Sequence, residues 1–129
     1  MITWNNLDTL TSFKELENVE RVDLVKAMAG ENGAERVKNY SVPMAEGLTY
    51  NYAAKQVDDK VLAALAKLAD EAQLTEKFEA LYNGEVINTG EKRLVLHHMT
   101  RGQLGEAVEA DGVDKRTFYT EQQAKIADF

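Results

Sequence analysis

Cysteine is absent from the 129 residues. That rules out a disulfide framework, a thiolate zinc site and a thiol nucleophile, and it is compatible with a reducing compartment. Proline occurs once and glycine eight times, too few for a Pro/Gly-rich linker, and no segment is repetitive or of low complexity. Basic residues are in deficit, 15 against 22 acids, for a formal charge of −7. A duplex-binding surface neutralises phosphates with clustered Lys and Arg. Here the bases are scattered among acids, so neither nucleic acid nor an anionic membrane is the expected partner. The most apolar run, Val61-Leu62-Ala63-Ala64-Leu65-Ala66, is broken by Lys67 and is far too short to span a bilayer. Residues 1–8 lack the basic and apolar regions of a signal peptide. These shortages together lead to the expectation of a soluble, cytoplasmic protein.

What is present is the composition of a folded domain, 44% hydrophobic and 29% charged. Residues 1–129 read as one domain, mainly α with a small β-hairpin. Leu10, Phe13 and Leu16 recur at helical spacing, and Ser12 with Glu15 has the spacing of a capping box. Asp23 is placed to cap a short helix carrying Leu24, Val25 and Met28, with Gly30 and Gly33 to end it. The clearest helix starts at Asp58, with Val57, Val61, Leu65, Leu68 and Ala72 on one stripe widened by Ala64 and Ala69. Thr75 is the expected cap of the next helix, whose Phe78, Leu81 and Tyr82 face inward until Asn83-Gly84 stops it. Between these helices, residues 40–44 read as extended because Pro43 disfavours helix at Val42. Leu48, Tyr50 and Tyr52 alternate like a strand. Asp111-Gly112 signals a hairpin, and a last helix is expected from about Lys115 to Phe129. That helix ends without glycine or a polar tail, so a cut end within a longer polypeptide is expected.

Candidate chemistry is sparse. Adjacent His97 and His98 point to different faces of a helix or strand, which does not suit one metal ion. Glu85, Glu91 and Glu106 are the only nearby helpers. A hydrogen-bonded structural His97 with a more exposed His98 is the expected arrangement. Ser12 and Ser41 lie in no nucleophile context. Gly30-Glu31-Asn32-Gly33 and Gly102-Gln103-Leu104-Gly105 are single Gly-x-x-Gly pairs, more simply turns than phosphate loops. Tyr40, Tyr50, Tyr52 and Tyr82 either line a ligand or form core with one wet edge.

The densest stretch runs from Gly84 to Arg101. Its Gly84-Glu85, Ile87-Asn88, Glu91, Arg93, Val95-Leu96-His97 and Arg101 strongly resemble the G-E-x-I-N-x-x-E-x-R-x-V-L-H-x-x-x-R motif of the glucose-6-phosphate isomerase (phosphoglucose isomerase) family. Tyr82-Asn83, Tyr52-Ala53-Ala54-Lys55, Asp111-Gly112-Val113-Asp114 and, weakly, residues 36–41 resemble family segments in the same order. Two departures stand out: Gly90-Glu91 replaces Thr-Glu, and Gly102-Gln103-Leu104 replaces Asn-Arg-Ser. The resemblance implies the N-terminal helical segment of an α/β enzyme, an αβα sandwich of sugar-isomerase type. Family members interconvert D-glucose 6-phosphate and D-fructose 6-phosphate in glycolysis and gluconeogenesis. Their phosphate loop and catalytic glutamate, histidine and lysine lie downstream of the matched region. The resemblance therefore implies no catalytic residue, no cofactor-binding residue and no metal ligand within 1–129, and no cofactor. It also implies that Glu91, Arg93, His97 and Arg101 form a buried or interfacial polar network serving the scaffold. The implied partner is the remainder of the isomerase chain, with sugar phosphate bound only by the full-length enzyme, a homodimer. A stand-alone helical partner-binding or regulatory protein is the competing reading.

Overall fold

Asp58 opens the longest apolar stripe, and its Oδ1 accepts the Val61 amide at 2.9 Å. This satisfies a first-turn donor that has no partner inside the helix. The computed structural model describes residues 1–102 and 105–129, and these pack as two compact units, one of residues 6–71 and one of residues 1–5 with 72–129.

In the unit of residues 6–71 the order is α1 (Thr11–Glu17), α2 (Leu24–Ala27), α3 (Gly30–Asn39), β1 (Ser41–Pro43), β2 (Thr49–Asn51) and α4 (Asp59–Glu71). α1 packs on α4, with Leu10 buried and Phe13, Leu16, Val61 and Leu68 half-buried. The capping box expected from Ser12 and Glu15 does not form. Helix α1 begins two residues earlier, with Leu10 rather than Ser12 at the N-cap, and its first amides are satisfied by Glu71, some 60 residues away. Glu71 accepts from the Thr11 amide at 3.2 Å, the Ser12 amide at 2.7 Å and the Ser12 hydroxyl. Those bonds, the Ser12 hydroxyl first, hold the Glu71 carboxyl below its ordinary pKa.

Asp23 caps α2 as expected, accepting from the Val25 and Lys26 amides. Gly30, left-handed at φ 58°, stands at the break between α2 and α3 as expected of a stop, but Gly33 lies inside α3 rather than ending a helix. A Cβ at Gly33 would overlap the Met28 carbonyl. Gly33 is required by that close approach, a tertiary reason with no local signature. β1 and β2 pair antiparallel, Val42 opposite Tyr50, so the extended and alternating segments of the sequence meet as a hairpin.

The second unit holds α5 (Leu74–Tyr82), β3 (Val86–Asn88), β4 (Arg93–Leu94), β5 (Glu109–Ala110), β6 (Val113–Asp114) and α6 (Lys115–Asp128). Thr75 is not the cap of α5. That position falls to Gln73, in left-handed backbone at φ 54°, and the helix starts at Leu74. The Gln73 amide group instead holds the chain start: its Oε1 accepts from the Thr3 amide at 2.8 Å and the Thr3 hydroxyl at 3.0 Å. Phe78, expected to face inward, is 60% exposed, while Leu81 and Tyr82 are half-buried.

The stop at Asn83-Gly84 is as expected. Gly84 (φ 70°) donates to Leu81 O and Glu85 to Ala80 O, the paired bonds of a Schellman motif. At the other end, Asp111 (φ 56°) and Gly112 (φ 74°) turn β5 into β6, the left-handed pair a two-residue hairpin demands. Ala72, Ala80, Met99 and Val108 are the buried apolar residues among those described in this unit. Helix thus dominates, with three two-stranded hairpins among the described residues.

Candidate functional site

The stretch from Gly84 to Arg101 folds as a hairpin followed by a tight turn. β3 and β4 pair with Val86 opposite Leu94 and Asn88 opposite Arg93, with an irregularity between. The connecting turn is closed by Asn88, whose Oδ1 accepts the Glu91 amide at 3.1 Å. Glu91 Oε2 meets Arg93 Nη1 at 3.8 Å, but the two side chains are 64% and 75% exposed. An ion pair that open to water contributes little. Glu91, Arg93, His97 and Arg101 are all exposed, so the expected buried network does not form within this chain. The residue types suit ion pairing, but Glu91 and Arg93 lie on the exposed side of the hairpin, and His97 and Arg101 on the exposed side of the turn that follows it.

Residues 97–100 form a 3₁₀ turn docked on α6. Met99 is fully buried there, and Gln123 of α6 donates to Thr100 O at 2.8 Å. The two histidines exchange the roles expected of them. His97 is exposed and His98 is the inner one, stacked on Tyr82 with ring centroids 4.6 Å apart. Neither His98 ring nitrogen has a hydrogen-bond partner among the described residues, and both are shielded from solvent. Burial pushes the imidazole below its ordinary pKa, the Arg116 charge adds to this, and the Tyr82 backbone opposes it.

The side chain that gathers this region is Arg116, which the sequence did not single out. It lies at the start of α6 and is 7% exposed. Its Nε donates to Glu106 O at 2.5 Å and its Nη2 to Tyr82 O at 2.9 Å. Asp114 caps the helix from the hairpin, accepting from the Arg116 and Thr117 amides and from the Thr117 hydroxyl. These bonds, the Thr117 hydroxyl first, lower the Asp114 pKa. Gly105 is open because a Cβ there would lie 2.8 Å from Arg116 Nη2.

Arg36 plays the same part in the other unit. It is 8% exposed and donates to the carbonyls of Ala53 (2.7 Å), Lys55 (2.9 Å) and Val57 (2.5 Å). Both arginines satisfy main-chain oxygens that no regular ladder reaches.

The remaining candidates are scattered. Ser12 belongs to the Glu71 cap, and Ser41 donates to Lys38 O at 3.5 Å. Glu85 and Glu106 are exposed. Tyr40, Tyr50 and Tyr52 come together in one unit, and Tyr50 and Tyr52 share a shallow hollow of about 340 Å³ with Val42, Lys55, Val57 and Leu62. Lys55 is its sole charged group, too little to orient a phosphorylated sugar. The Gly30/Gly33 pair is occupied with helix packing. In the Gly102–Gly105 pair, Gln103 and Leu104 lie outside the described residues. Among the described residues no three acidic or histidine side chains come close enough to hold a metal ion, and no helix is long and apolar enough to cross a membrane. What the geometry offers chemically is main-chain carbonyls tied by two arginines, and carboxylate caps from Asp23, Asp58, Glu71 and Asp114.

Known proteins resemble this chain in sequence and in fold. The family profile "Phosphoglucose isomerase" matches residues 51–129. Glucose-6-phosphate isomerase of Treponema denticola is 51% identical over 131 residues, covering 98% of this chain and 25% of the relative. That of Treponema pallidum (strain Nichols) is 39% identical over 132 residues, 99% of this chain and 25% of the relative. The crystal structure of a glucose-6-phosphate isomerase from Chlamydia trachomatis D/UW-3/Cx superposes with a TM-score of 0.72 at 28% identity, over 97% of this chain and 25% of that one. The chain spans about a quarter of the length of the relatives it matches. With most of its residues inside the profile, the chain belongs to the phosphoglucose isomerase family.

Proposed function

We propose that residues 1–129 are the N-terminal scaffold of a glucose-6-phosphate isomerase, the cytoplasmic, homodimeric enzyme that interconverts D-glucose 6-phosphate and D-fructose 6-phosphate. The observation that carries this reading is the match to glucose-6-phosphate isomerase over nearly the whole chain but only a quarter of the relative. The reaction opens a sugar ring and moves a proton between C1 and C2, which needs a base within hydrogen-bond reach of a substrate held by its phosphate. Phosphate in turn needs several convergent cations or main-chain amides. Arg36 and Arg116, the two buried cations, already donate to carbonyls, and the histidine shielded from water stacks on Tyr82. The segment therefore contributes shape, while the remainder of the isomerase chain supplies the catalytic and phosphate-binding groups.

The purified 129-residue chain is expected to show no turnover in a coupled isomerase assay and no heat on titration with fructose 6-phosphate. The longer polypeptide is expected to show both. Turnover above buffer by the isolated chain would place the active site within these residues and overturn the scaffold reading.

A further inference from the structure

We propose that His98 is an acid-sensitive pin, whose protonation releases the turn of residues 97–100 from α5 and α6. The inference stands on the geometry of this unit and does not depend on the isomerase reading. A neutral imidazole suits the place it occupies: its flat face covers Tyr82 at 4.6 Å with the planes 27° apart, and its nitrogens are shielded from water and meet no partner at hydrogen-bond geometry among the described residues. Protonation there would add a second N–H donor and a charge, and the one acceptor acting on the ring, the Tyr82 carbonyl, already takes the Arg116 Nη2 bond.

The groups facing the ring give that charge no home. Tyr82 faces it from α5 and Arg116 acts on it from α6. On its own turn, His97 points to solvent. No carboxylate among the described residues acts on it. Arg116 is itself a buried cation whose Nη1 has no partner among the described residues, so protonation adds a second positive charge within its electrostatic reach. The Tyr82 backbone favours the charged ring, yet burial and Arg116 outweigh it.

The sign follows from linkage. The fold prefers neutral His98, so the stability it confers is complete above the unfolded imidazole value of about 6.5. It declines as pH falls below that value toward the lowered folded one. Release would be local first, because the turn is a four-residue element whose described ties include the Tyr82 stack and the Gln123 bond to Thr100.

Hydrogen–deuterium exchange on the full-length polypeptide tests this, at pH 7.5 and 5.5, corrected for intrinsic exchange rates. Peptides spanning residues 78–85 and 94–102 are expected to open up to about tenfold more at the lower pH, the limit for one proton over one unit below 6.5. His98→Phe keeps an aromatic stack but cannot titrate, and should show no such increase. His98→Gln should agree with it, and His97→Gln should behave as the parent. The same increase in His98→Phe, or none in the parent, would overturn the proposal. Should His98→Phe not fold, selectively labelled histidine in the parent gives an independent reading by NMR. A His98 midpoint below that of His97 supports the pin, and one at or above it overturns it.

Discussion

Arg116 and Arg36 are each more than nine-tenths buried, yet neither meets a carboxylate there; their partners are main-chain carbonyls 10 to 34 residues away. Removing the Arg116 guanidinium takes the donor from the part-buried bonds to the Glu106 and Tyr82 carbonyls. Arg116→Ala is therefore expected to destabilise the fold by about 3 kcal/mol, read by urea denaturation. Arg116→Lys should recover less than half of that, because an ammonium cannot serve two diverging carbonyls through one planar fork. Arg93→Ala, by contrast, should cost under about 1 kcal/mol in the isolated chain, since its Glu91 partner is exposed. Sequence alone could not separate these arginines. Arg93 sits in a dense motif and Arg116 follows an ordinary hairpin, but burial is decided by which distant carbonyls lack donors. Likewise the order of His97 and His98 depends on which one lies over Tyr82, and adjacency in sequence carries no sign of that.

Elements were legible where their signals were local. The Asp58 start of α4, the Asn83-Gly84 stop of α5, the Asp111-Gly112 hairpin and α6 all follow from residues within a turn of the feature they control. Helix α3 was not legible, because Gly30 and Gly33 read as stops while the Met28 carbonyl requires a glycine at position 33. Nor was the α1 cap, which comes from the far end of α4.

Two tests belong to this scale. At Gly84 a side chain meets both left-handed backbone and the Val108 methyls, so Gly84→Ala is expected to cost at least about 2 kcal/mol in thermal or chemical unfolding. A fully tolerated alanine would show that the α5 end and the β5 approach are looser than described. For Glu71, the lowered pKa means its contribution is complete above the ordinary glutamate value and is lost as pH falls through the lowered one. The melting temperature of the parent should thus exceed that of Glu71→Gln at pH 7, with the gap narrowing as pH falls below the ordinary glutamate value. A gap independent of pH would show that charge on Glu71 is not what caps α1.

The molecule as a whole leaves large apolar side chains uncovered. Val42, Met44, Leu48 and Tyr50 are exposed on and beside the first hairpin, and Leu74 and Phe78 on α5. On the scaffold reading these are surfaces that further chain covers, and in isolation they should drive self-association. Sedimentation velocity of the 129-residue chain is expected to shift to larger species with concentration, and Leu48→Glu to reduce the shift. A monomer at every concentration would argue against a covering role for that hairpin. The Gln73 clasp on Thr3 has a different consequence. It closes a loop of chain whose interior is the unit of residues 6–71, and that unit is itself closed where Glu71 returns to Thr11 and Ser12. Both closures fall at neighbouring points of the chain, so the unit has the connectivity of an insertion. The entropy of closing a loop grows only with the logarithm of its length, roughly 0.6 kcal/mol per doubling. Joining Asn5 to Ala72 through a short flexible bridge should therefore disturb the clasp little, and the unit between them could be lengthened, shortened or replaced with the same small entropic effect.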